Sequence, residues 1–159
     1  TYPKPVSTFN IPTSGKWYVE WVFTTTGSAV VGVGNVDKAE ESGAANQLNG
    51  INMLSGEIRV NDSTTQSSLT TFTTNDVIGV KADRDAGTVS FTINGSAVGN
   101  PENISGMNTP TDLVFWAYRN ASGGDAPVGY VNFGQRPFSH LQSGYNSTFP
   151  NNIRSTKIF

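Results

Sequence analysis

The stretch DVIGVKADRDAGTVSFTING (76–95) constrains the fold of this chain more than any other. Two runs of alternating character, VIGVKAD (77–83) and TVSFTIN (88–94), flank Asp85-Ala86-Gly87, and the second run ends at Asn94-Gly95. A period of two places Val89, Phe91 and Ile93 on one face of an extended strand. Asn-Gly tolerates positive φ at both positions, which a tight hairpin turn requires. The segment therefore reads as antiparallel strands whose register is fixed by side-chain alternation and turn chemistry together.

The same pattern recurs along the chain. From Lys16 to Thr24, Trp17, Val19, Trp21 and Phe23 share one face, with Lys16, Glu20 and Thr24 on the other. Tyr18 and Val22 soften this alternation, as expected where a neighbouring segment partly covers the outer face. AVVGVGNV (29–36) follows Gly27-Ser28 and predicts a hairpin with that first strand. EIRV (57–60), SLTTF (68–72) and GYVNF (129–133) read as further strands. LVFWAY (113–118) is apolar on both faces, which predicts a central strand covered by the opposing sheet on one side and by a chain terminus on the other. Residues 37–50 have helical composition but no sustained period, so a long loop with at most a short helical turn is expected. Strand spacing of this kind predicts an all-β antiparallel sandwich. Its expected core is Trp17, Val19, Trp21, Phe23, Val89, Phe91, Ile93, Phe115 and Phe133.

Residues 1–13, with Pro3, Pro5 and Pro12, read as an extended N-terminal arm. The sandwich spans 14–138. The tail, 139–159, carries Tyr145, Phe149, Ile153, Ile158 and Phe159 at irregular spacing, and these must pack on the sandwich or on a neighbouring chain. The chain begins at Thr1, and the expectation is a fragment of a longer chain or a processed mature chain.

Charge and cysteine content exclude several function classes. Only 14% of residues are charged and the net charge is −2, which leaves neither a nucleic-acid stripe nor a polybasic membrane patch. No apolar run approaches the roughly 18 residues of a membrane-spanning helix. Cysteine is absent, so disulfides, thiolate metal sites and cysteine nucleophiles are absent too.

Three segments in order, SGKWYVEWVF (14–23), DVIGVKADRDAGTVSFTING (76–95) and NFGQRPF (132–138), resemble the SPRY domain, a concanavalin A-like sandwich of jelly-roll type. That family pairs an early G-K-W-Y-x-E strand with a middle hairpin of the second form and closes on a late strand ending N-F-G. NFGQRPF with the S-G-Y continuation resembles the version found in structural and tail proteins of bacteriophages. The resemblance implies a binding module without catalytic residues, cofactor or metal. It places the domain on a virion exterior, as a fibre, tail or head-decoration component that contacts a host-surface protein or glycan, or neighbouring virion proteins, with homo-oligomerisation open. A cellular peptide-binding SPRY adaptor is one alternative, with a pocket lined by Tyr118 and Arg119. A carbohydrate-binding or carbohydrate-active concanavalin-like domain is another.

The residues themselves supply little catalytic chemistry. Glycoside hydrolysis needs two carboxyls facing across a cleft, whereas Asp83 and Asp85 flank one turn and read as caps of its amides, with a calcium site as the alternative. His140 is the sole histidine and has no nucleophile elbow to serve. Gly32-Val33-Gly34 begins like a dinucleotide loop, but Asp37 stands where the third glycine belongs, so these glycines read as relief of crowding in a strand. The candidate binding residues are Trp116, Tyr118, Arg119, Asn120 and Asp125, at the end of one strand and in the polar loop after it, because loops displayed on a rigid sandwich carry function. Loops 37–50 and 61–67 are the other expected contributors.

Overall fold

The computed structural model describes residues 7, 9–39, 50–119 and 127–147. The strands are β1 (Lys16–Thr25), β2 (Ala29–Asn35), β3 (Gly50–Leu54), β4 (Glu57–Val60), β5 (Ser63–Gln66), β6 (Val77–Asp83), β7 (Thr88–Ile93), β8 (Ser96–Asn103), β9 (Leu113–Arg119), β10 (Val128–Asn132) and β11 (Asn146–Ser147). A single helical turn, α1 (Val36–Ala39), follows β2. It is capped by Asn35, whose side-chain Oδ1 accepts from the Asp37 amide at 3.0 Å. Among the described residues, one sheet runs β10-β1-β6-β7-β8 with β11 added against β1, and the other runs β5-β4-β3-β2-β9. The protein is a two-layer antiparallel β-sandwich.

Its core lies between the layers. Val19, Trp21 and Phe23 of β1, Ile78 and Val80 of β6, and Val89, Phe91 and Ile93 of β7 meet Val31 and Val33 of β2, Ile51 and Met53 of β3, and Phe115 of β9. Trp17 and Phe133 pack at the margin of this core and stay partly exposed. The β6–β7 hairpin pairs Asp83 with Thr88 and Ile78 with Ile93. At its turn the Ala86 amide donates to Asp83 at 2.9 Å, and Asp85 accepts the Gly15 amide at 2.7 Å. Asp83 therefore caps an amide of this turn and also pairs with Lys16 at 3.1 Å, whereas Asp85 reaches across to the segment before β1 instead of capping its own turn.

Four expectations are corrected. First, β1 and β2 form no hairpin: β1 pairs with β10 and β6, and β2 with β3 and β9. Trp21 and Phe23 face Val31 and Val33 across the core, so the turn after Thr25 carries the chain from one layer to the other. Second, SLTTF is no strand. Ser68 adopts φ 58° and the Leu69 amide donates to the Gly56 carbonyl, which sends this segment over the core, where Phe72 stacks on Phe23. The adjoining strand is β5, and residues 61 and 62 form the tight turn into it, with φ 49° and 65°, where a longer loop was expected.

Third, β9 ends its sheet rather than lying within it. Its outer edge instead takes hydrogen bonds from the arm: Ser7 donates to the Phe115 carbonyl at 2.9 Å and Ile11 to that of Leu113 at 2.6 Å. The arm thus serves as a partial sixth strand and hides a backbone edge that is otherwise open to pairing. Fourth, two strands escape the sequence pattern. β3 is only five residues long, and β8 contains Pro101 and a left-handed Gly99.

Candidate functional site

The outward side chains of β1 are Tyr18, Glu20 and Val22. Each is buried, at 0%, 3% and 8% exposure. The cover comes from the segment after β10. Asn132 shapes its turn, accepting from the Gly134 amide at 3.0 Å and donating to the Pro137 carbonyl at 3.2 Å. Phe138 then meets the Tyr18 ring edge-on at 5.0 Å. The next two residues are clamped by Glu20: the Ser139 amide donates to Oε2 at 2.9 Å and the His140 amide to Oε1 at 2.6 Å. The Tyr18 hydroxyl approaches Oε1 at 3.3 Å. Burial raises the Tyr18 phenol above its ordinary value, and the neighbouring Glu20 charge adds to the shift. Further along, Tyr145 lies beneath Lys81 and Lys16, with the ammonium groups 5.2 and 5.9 Å from its ring centre, before β11 pairs in parallel with β1.

This segment does not cover the whole face. Between it and the ends of β1, β6 and β10 opens a cavity of about 230 Å³. Glu20 and Val22 form its floor and Asn75 and Val77 one wall; Tyr130, Asn132, Arg136, Pro137 and Ser139 complete the lining. Tyr130 is 49% exposed and Val128, two residues earlier on the same face, 57%. The Arg136 guanidinium sits 4.6 Å from the centre of the Tyr130 ring. The sheet register puts Tyr130 opposite Val22 and Asn132 opposite Glu20, which brings an exposed aromatic ring and a buried carboxylate to one opening.

The residues expected to bind lie in the other layer. Trp116 is fully buried and Tyr118 is 6% exposed. They pack with Val30 and Val114 on the outer face of the five-stranded sheet. Gly34 and Gly50 leave room for the Trp116 ring, since a Cβ on either glycine would overlap it. The indole N–H donates to Asn52 at 2.7 Å. Trp116 and Tyr118 are therefore packing residues here, and the contact surface expected around them narrows to Arg119 at the strand end. Asn120 and Asp125 lie outside the described residues, as does most of loop 37–50. Arg119 pairs with Ala29 and Val128 with Thr25, so both flank the crossing from β1 to β2 at one end of the sandwich. Among the described residues no group of three or more His, Cys, Asp or Glu side chains is placed to hold a metal ion.

Sequence reasoning passed over Glu20, Asn75, Tyr130 and Arg136. A signal for Tyr130 was present: Val131 and Phe133 face the core, so Tyr130, one position before Val131, must point outward. Glu20 looked like an ordinary solvent-facing residue because its partners are backbone amides 119 and 120 positions away.

The protein is a two-sheet sandwich with a small cavity of mixed polar and apolar lining on one outer face. A SPRY-domain family model matches residues 15–109, and the chain belongs to that family. SPRY domains are generally non-catalytic modules that bind protein partners. The fold is similar to that of the SPRY domain of human HERC1, with a TM-score of 0.61 and 17% identity over 84% of each chain. No curated protein matches the sequence.

Proposed function

We propose that this domain binds a protein partner, without catalysis, at the end of the sandwich where β9 and β10 meet the crossing from β1 to β2. The observation that carries the reading is the exposed pair Val128 and Tyr130 beside the cavity floored by Glu20. Scattered exposed apolar residues are ordinary on a protein surface, whereas an aromatic side chain beside a concave, partly apolar opening is a usual anchor for a partner. Arg119, with Asn120 and Asp125 following it, extends the proposed surface. The setting proposed is a virion exterior, as part of a phage fibre, tail or head decoration, supported by the NFGQRPF segment and the cysteine-free composition. A cellular adaptor is the second reading, and membership of the SPRY family supports it.

Selection of binders from a random linear peptide library on the immobilised domain tests the proposal. The expected result is an enriched motif whose binding falls when Tyr130→Ala or Arg119→Ala is introduced. Failure to enrich any peptide, combined with retention of defined glycans, would overturn it in favour of a carbohydrate-binding domain. Light scattering addresses the setting: a discrete multimer supports assembly on a particle, and a monomer supports the adaptor.

A further inference from the structure

Glu20 carries a feature that its clamping role does not use. Its carboxylate is almost wholly buried, yet the three groups that donate to it, two backbone amides and a phenol, are all neutral. No described cation forms an ion pair with it. Arg136 lines the same cavity, but its guanidinium is stacked on Tyr130. A carboxylate held in a low-dielectric site by dipoles alone keeps a strong attraction for a positive charge brought to it. Oε2 has one described donor, the Ser139 amide, and so retains capacity to accept another.

The opening suits one kind of guest. A volume of about 230 Å³ is below that of pockets for drug-sized ligands and admits the end of a single side chain. Val22 and Val77 offer apolar wall to a methylene stem, and the Tyr130 ring already attracts one guanidinium. We infer that this cavity receives the arginine or lysine side chain of a protein partner, with Glu20 as counter-charge and Tyr130 packed on its stem. This rests on the protein-binding reading above. Arg136 is then a competitor at the mouth, and its charge opposes the entering one.

The test is an NMR titration of the labelled domain with Nα-acetyl-arginine methylamide, with the citrulline analogue as a neutral isostere and methyl glucoside as a sugar probe. The arginine probe is expected to give saturable shifts at the Ser139 and His140 amides and at Asn75, with citrulline at least about tenfold weaker, as loss of a charged hydrogen bond dictates. Tyr130→Ala should weaken binding by about two- to fivefold, the size of an exposed cation–π contact, and Arg136→Ala should tighten it. Both residues lie at the exposed rim, so neither variant threatens the fold. Equal response to arginine and citrulline, weaker binding by Arg136→Ala, no response to arginine, or shifts with the glucoside alone would each overturn the inference. A peptide motif without a basic residue in the library selection would also overturn it while leaving protein binding intact.

Discussion

The Trp116 indole lies across Gly34, in the space that any side chain at that position would need. Trp116 is fully buried on the outer side of its sheet, so two sequence-distant residues create a packed layer outside the sandwich core. Gly34→Ala is expected to destabilise the fold by about 1–3 kcal/mol through overpacking. Trp116→Ala, which leaves a cavity, is expected to cost about 3–5 kcal/mol. Urea denaturation measures both, and a neutral Gly34→Ala would show that the ring moves aside freely.

Glu20 holds the chain after β10 in place. Glu20→Ala leaves the Ser139 and His140 amides without their acceptor, for an expected loss of about 1–3 kcal/mol. Amide hydrogen exchange at residues 139 and 140 should accelerate more than exchange in β3, which lies in the other sheet. Uniform acceleration would point to general destabilisation instead.

Asp76 links the two ends of the β6–β7 hairpin. Its carboxylate accepts the Thr73 amide at 2.7 Å and the Asn94 side chain at 2.7 Å. The Thr73 amide, followed by Asn94, holds its pKa below the ordinary carboxylate value. A depressed folded value means stability that is present above the unfolded pKa and lost as pH falls through the folded one. Asp76→Asn is therefore expected to be less stable at neutral pH and to lose less on acidification below about pH 4. Parallel slopes for the two proteins in acid denaturation would exclude this role.

The arm is part of the structural unit. Ile11 is 2% exposed and its amide bonds to β9. Ile11→Ala is expected to cost about 2–5 kcal/mol, as for a core residue. A loss under about 0.5 kcal/mol, ordinary for a surface position, would mean that the arm lies on the sandwich without supporting it.

How far the sequence could be read depended on whether the deciding contact was local. The β6–β7 hairpin was legible because alternation and the Asp85-Ala86-Gly87 and Asn94-Gly95 turns agree within 20 residues. The layer change after Thr25 was not, because a turn to a paired strand and a turn across the core share the same glycine-serine signal. What decides between them is Phe23 meeting Val31 and Val33 from the opposite layer. Trp116 was ambiguous for a similar reason. A tryptophan near a strand end suits a binding surface or a packed layer equally, and the deciding glycines stand more than 60 positions away. The cavity was invisible since Glu20, Asn75 and Arg136 converge only after the segment following β10 folds back over β1.

The arm bonds to β9 at one margin of the five-stranded sheet, whereas the last described residues, Asn146 and Ser147, pair with β1 in the other sheet. The chain itself joins these two anchor points, because it runs from Ile11 directly into β1 at Lys16 and β1 is the strand that β11 pairs with. A pull on both anchors therefore loads the arm–β9 and β1–β11 hydrogen bonds first and leaves the side chains packed between the layers outside the direct force path.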